Sequence, residues 1–112
     1  RSMKVLNRGF IIVSPKPIFI SEALNNSGND LLSPDNPEPS IYLIEEDFWD
    51  DETVLKKYFK RILSGEIKQL DTENESSLSK IKFDNIHEYF NISMGSLVFD
   101  LEESPVERFT DD

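Results

Sequence analysis

Apolar residues recur along this chain at two periods, one suited to strands and one to helices. Residues 4–14 end in a continuous apolar run, Phe10, Ile11, Ile12 and Val13. Such a run predicts a strand buried on both faces. Pro15 and Pro17 follow and end it, because proline donates nothing to a ladder. Residues 18–24, apolar at Ile20, Ala23 and Leu24, read as a short helix, and the apolar residues 41–44 read as a second strand. The strongest signal comes next. Val54, Leu55, Tyr58, Phe59, Ile62, Leu63, Ile67 and Leu70 repeat at helical spacing and draw one apolar stripe over residues 51–70. Asp50 or Asp51 is placed to cap its first N–H groups, and Glu52 complements the positive helix end. Glu52 also precedes Lys56 by four residues, the favourable order for a surface pair. Ser64 and Gly65 fall inside the stripe and predict a bend or break there.

Phe83, Ile86, His87 and Phe90 form a shorter helical stripe with Asp84 as its expected cap. Residues 91–101 then alternate as a strand does, with Leu97, Phe99 and Leu101 on one face and Ser96, Val98 and Asp100 on the other. Gly95 inside it predicts a bulge or a close backbone approach. Between these elements, residues 25–40 hold Pro34, Pro37 and Pro39 among Asn, Asp and Ser, a loop long enough to act as a lid. Residues 71–77 are polar and turn-like. The order β-α-β-α-α-β predicts an α+β fold, a small mixed or antiparallel three-stranded sheet with helices packed on one face. Residues 3–102 are expected to make one domain and the acidic residues 103–112 a frayed tail. Arg1 and Ser2 precede Met3 and have the look of a cloning remnant.

Composition narrows the chemistry. The 112 residues suit a single core, and 8 Phe, 3 Tyr and 1 Trp are enough to fill it. Cysteine is absent, which excludes disulfides, iron–sulfur clusters, thiolate zinc sites and thiol catalysis. The apolar run at 10–13 is too short for a secretory or membrane-spanning segment, so a cytoplasmic location is expected. Asn-x-Ser triplets begin at Asn25, Asn74 and Asn91; without a secretion signal they read as chance matches. Against 12 basic residues stand 22 acidic ones, a net charge of −10. That balance repels phosphate backbones and anionic membranes, so neither direct nucleic-acid binding nor membrane association is expected. It steers toward a basic protein partner, or simply keeps the chain soluble.

The second half carries a resemblance. Ile41-Tyr42-Leu43-Ile44 followed by acids, the long helix from Asp51, Phe83-Asp84, Glu88-Tyr89-Phe90-Asn91-Ile92 and Ser96-Leu97-Val98-Phe99-Asp100-Leu101 together resemble a family of small acidic bacterial proteins of unknown function. The likeness spans roughly residues 41–101, and its most specific part is the closing Ser-x-Val-x-Asp-Leu pattern. Members of that family typically carry Trp-Pro after the long helix, and often a His before the serine. This chain has Ser79-Lys80 and Gly95 at those places. The resemblance implies a bacterial, cytoplasmic α+β protein and no particular chemistry.

Candidate functional residues are few. His87, the single histidine, sits between Ile86 and Phe90 and reads as a packing or boundary residue; its neighbour Glu88 is one residue away on a helix and does not face it. No nucleophile elbow, P-loop or glycine-rich phosphate loop occurs. Glu45, Glu46, Asp47, Asp50, Asp51 and Glu52 place six carboxylates within eight residues around Phe48 and Trp49. Their spacing lacks the alternating ligands and central glycine of a calcium loop, and capping a strand-to-helix turn accounts for several of them. Trp49 is either a lid on the core or an interaction hot spot. Lys56, Lys57, Lys60 and Arg61 line the polar side of the long helix and read as a solvated face. The expectation is a non-catalytic interaction module, an adaptor or an immunity-type inhibitor, with no cofactor and no metal. Its candidate patch is Glu45, Glu46, Asp47, Trp49, Asp50, Asp51 and Glu52. The alternatives are a homo-oligomer joined through a sheet edge or exposed helix surface, and a small-molecule binder closed by the 25–40 loop.

Overall fold

The computed structural model describes residues 3–27, 38–69 and 78–110. Most of the proline-rich loop and the whole 71–77 turn lie outside the described residues. In chain order the elements are β1 (Lys4–Leu6), β2 (Gly9–Pro15), α1 (Pro17–Ser27), β3 (Ser40–Ile44), α2 (Asp51–Gln69), α3 (Ile86–Tyr89), β4 (Phe90–Gly95) and β5 (Val98–Asp100). Two short 3₁₀ turns, Leu78–Lys80 and Phe83–Asn85, lead into α3. The fold is α+β, as the periodicity predicts, with an antiparallel three-stranded sheet of order β3-β2-β4 and a separate antiparallel pair, β1-β5.

β2 is the centre of the molecule. Its side chains alternate strictly, with Ile11 and Val13 fully buried and Phe10 and Ile12 half-buried. The apolar run 10–13 therefore faces a packed layer on one side only, which corrects the expectation of burial on both. Cross-strand register carries the same alternation to the neighbours. Ile11 pairs with Tyr42 and Met94, and Val13 pairs with Ser40 and Ile92, all on the covered face. Against that face α2 sets Val54, Leu55, Phe59, Ile62, Leu63 and Ile67. Glycine in mid-stripe does not interrupt α2, which runs unbroken through Ser64 and Gly65. The expected break is absent because the packing of Leu63 and Ile67 on either side of the glycine outweighs a propensity cost of about 1 kcal/mol.

Each of the two outer strands expected from sequence is in fact two. Between the pairs Leu6–Val98 and Phe10–Gly95, residues 7–9 stand against Ser96 and Leu97 alone. One surplus residue on one strand is a β-bulge, and it divides a long ribbon into β2-β4 and β1-β5. Gly95 sits at this break opposite Phe10, whose ring occupies the space a side chain would need, approaching an added Cβ to 2.5 Å. The anticipated close approach at Gly95 is thus made by a side chain. Beyond the bulge, Leu97, Phe99 and Leu101 are exposed, so the apolar face of the closing strand lies outside the core.

The short helices close the far end. Pro17 occupies the first position of α1, where its missing N–H costs nothing. Lys16 N–H donates to the Tyr89 carbonyl at 2.8 Å, which ties the start of α1 to α3. Phe19, fully buried, stacks against Phe90 with ring centroids 4.6 Å apart and meets Tyr89 edge-on at 6.4 Å. The second helical stripe is one turn long. Phe83–Asn85 is a 3₁₀ turn that holds Asp84 inside it, and Asn85, not Asp84, takes the cap position of α3 without a side-chain bond. Phe90 opens β4 in extended backbone while its N–H donates to the Ile86 carbonyl and so closes α3. Removing the Phe19 ring empties the junction of α1, α3 and β4. Phe19→Ala is expected to cost about 3–5 kcal/mol, read as a fall in the urea midpoint at constant m-value.

Candidate functional site

The strand-to-helix turn at residues 45–50 joins the end of β3 to the start of α2, and the sequence loads both sides of it with acids. Asp50 caps the helix. Its Oδ2 accepts from the Thr53 hydroxyl at 2.5 Å and from the Thr53 backbone N–H at 3.1 Å, while its carbonyl accepts the first helical bond from Val54 N–H at 3.1 Å. The Thr53 hydroxyl, followed by that backbone N–H, holds the Asp50 carboxyl below the usual carboxylate range. Of the two capping candidates the structure selects Asp50, and Asp51 opens the helix.

Glu45 turns toward the basic side of α2. Its Oε1 accepts from Lys57 Nζ at 2.9 Å and from the Tyr58 hydroxyl at 3.1 Å. The Lys57 bond is the larger cause of a lowered Glu45 pKa, and the same bond raises Lys57. Both side chains remain about half exposed, so the pair orients the turn more than it stabilises the fold. Lys57 and Arg61 also lie over the Tyr58 ring, at 5.2 and 6.0 Å from its centroid. Lys56 and Lys60 are exposed on the same helix. Glu52 reaches toward α3, with Oε1 3.9 Å from His87 Nε2. His87 is exposed, which corrects the packing role. In a single turn of helix Ile86 points inward and His87 outward.

Trp49 resolves against the core-lid reading: it is fully exposed. Phe48, one residue earlier, supplies the packing instead and sits half-buried against the core. Between them opens a shallow cleft of about 330 Å³ with Phe48 and Val54 at its base and Glu45, Asp47, Asp50 and Lys57 around it. Glu46, Asp51 and Glu52 are exposed beside it. The seven expected patch residues are thus gathered on one turn and the first turn of one helix. Among the described residues, no group of three or more His, Asp or Glu side chains is arranged to hold a metal ion. No helix among them is long and apolar enough to cross a membrane. A second cleft of about 300 Å³, between α2 and the 3₁₀ turns, is lined chiefly by Phe59, Leu63, Ile67 and Ile81.

One polar constellation escapes the periodicity altogether. Glu66 lies on the apolar face of α2 and is 3 % exposed. The Tyr42 hydroxyl of β3 donates to its Oε2 at 2.5 Å, and Gln69 Nε2 approaches the same oxygen at 3.4 Å while donating to Ser40 Oγ at 2.7 Å. Gly65 makes room for this seam, since a Cβ there would stand 2.7 Å from the Tyr42 oxygen. Burial pushes the Glu66 carboxyl up, although the Tyr42 hydrogen bond opposes it. Burial and the Glu66 carboxylate likewise push the Tyr42 phenol above its ordinary value. The only sequence signal for the seam is a glycine in mid-helix facing a tyrosine in a strand.

No protein-family profile matches this chain, and no curated protein or solved structure matches it significantly.

The seam predicts a pH dependence. A carboxyl whose folded pKa is raised contributes most below its unfolded value, about 4.3, and loses that contribution as pH rises through the folded one. Glu66→Gln cannot ionise, so its urea midpoint should gain on that of the native chain as pH rises above about 4. Parallel midpoints across that range would show that Glu66 is not desolvated.

Proposed function

We propose that this chain is a non-catalytic protein-interaction module that engages a basic partner through the 45–52 turn. The observation that carries the reading is Trp49, fully exposed at the edge of a cleft ringed by carboxylates. A lone tryptophan in water gives up its whole burial energy, and Trp is enriched at the centres of interfaces where that energy is recovered. Six carboxylates around it, within a net charge of −10, would steer and orient a cationic surface. Capping accounts for Asp50, and the Lys57 bond for Glu45. Glu46, Asp47 and Asp51 face solvent. One concrete form is an immunity-type inhibitor that covers the basic active site of a toxin or nuclease. The proposal extends to the cytoplasm of a bacterium, in keeping with the resemblance of residues 41–101 to small acidic bacterial proteins.

The test compares capture by the native chain with capture by Trp49→Ala and by the double variant Glu46→Lys/Asp47→Lys at low salt, with partners identified by mass. A stoichiometric basic partner should be retained by the native chain and lost in high salt. Trp49→Ala should weaken it by at least about 30-fold, the size of a hot-spot loss of about 2 kcal/mol, without lowering Tm. A partner held equally by all three proteins, or held unchanged at about 1 M salt, would remove the reading.

A further inference from the structure

The face of the sheet turned away from α2 is apolar, and nothing among the described residues covers it. Phe10 pairs there with Leu43, and Ile12 pairs with Ile41, so two cross-strand apolar pairs stand side by side. Ile41 is 65 % exposed and Leu43 49 %. On β4 the same face carries Asn91, Ser93 and Gly95, with Ser14 of β2 opposite Asn91, all uncharged. Past the bend at Ser96, Leu97, Phe99 and Leu101 are exposed along and beside β5. The bulge at residues 7–9 shifts the phase of the opposite strand, so that Val5 pairs with Phe99. Val5, Leu97 and Leu101 are each more than 60 % exposed. What the core lacks on this side is a second layer.

We propose that this face is the contact surface of a homodimer, in which the open face of one sheet packs on that of a second copy. Two features select a second copy. First, Val5, Ile41, Leu43, Leu97, Phe99 and Leu101 are each about half exposed or more, and large apolar residues left in water together mark an interaction site. Second, a chain of net charge −10 repels its own copy overall, and least where ionisable groups are missing. None of the residues paired across β3, β2 and β4 on the open face is ionisable, so two copies can meet there without juxtaposing acids. Face-to-face packing of two sheets about 10 Å apart would give a sandwich core with α2 of each copy on the outside. It would also shield the β1-β5 pair, which as an isolated two-stranded ribbon is marginal in water. This contact uses none of the carboxylates of the 45–52 turn, so it stands apart from the proposed basic-partner site.

Light scattering and sedimentation equilibrium on the full chain, from about 1 µM to about 1 mM, read the outcome directly. The expected mass rises from the 13.0 kDa of one chain at the lowest concentration to 26 kDa at the highest, and the dimer should persist at about 1 M salt because the contact is apolar. Ile41→Glu together with Val5→Glu should return the mass to that of the monomer with the circular dichroism spectrum unchanged. As a check independent of those variants, Ser93→Cys places a single thiol on the face of a chain that has no cysteine. Its alkylation should slow at least ten-fold between the lowest and highest concentrations. A monomer throughout, a dimer that the paired glutamates leave intact, or a Ser93→Cys thiol equally reactive at all concentrations would each overturn the proposal.

Discussion

Everything in this molecule hangs on β2 being paired on both edges. A strand hydrogen-bonded to β3 on one side and β4 on the other has no free backbone groups to satisfy, so its side chains alone decide what the sheet does. Ile11 and Val13 commit one face to α2, and through the register they align Tyr42, Ile44, Ile92 and Met94 on that same face. The helix then has a single continuous floor to lie on. The length of β3 sets where the chain leaves the sheet, and α2 begins seven residues after β3 ends. The acidic turn is therefore held at a fixed edge of the sheet by two regular elements. Fixed attachment at both ends is what makes a short loop a usable recognition surface.

The polar seam and the acidic turn divide the charges of this chain into two kinds. Glu45 and Asp50 are spent locally on Lys57, Tyr58 and Thr53, at the cost of little burial. Glu66 is the opposite case, a carboxyl withdrawn from water and held by a phenol from the facing strand. Buried polar pairs of this sort add less to stability than to uniqueness when each member is satisfied, because any other packing would leave one of them without its partner. The remaining acids face solvent, where they shape the long-range field.

The sequence disclosed the fold class and the position of α2 because their signals are periodic and long. It disclosed β3 because four apolar residues stand between turn-formers. It could not disclose the bulge, since residues 4–14 and 91–101 each look like one strand and only their pairing reveals the surplus residue. The short α3 misled for a related reason. Phe83, Ile86 and Phe90 share a spacing that a 3₁₀ turn, one turn of α-helix and a strand can satisfy in succession. At the site, the clustering of carboxylates on the 45–52 turn was legible, being contiguous in sequence. Which of Phe48 and Trp49 faces inward was not, because adjacent aromatics in an irregular turn carry no period. Glu66 hid because a glutamate on an apolar stripe reads as a lapse in the pattern until Tyr42 is seen opposite it.

The Tyr42 ring resting on Gly65 also acts as a key in a slot. α2 could otherwise roll about its own axis, since an apolar stripe tolerates neighbouring rotational settings. A step of one residue is a turn of about 100°. Such a roll would carry the glycine notch off the ring and bring a side chain against it. The notch thus sets the azimuth of the whole helix, and with it the bearing of everything mounted at its N-terminal end. Some 15 residues upstream, or roughly 22 Å along the axis, the capped turn at Asp50 points where that notch allows. The direction in which Trp49 looks out is decided by a missing methyl group more than three helical turns away.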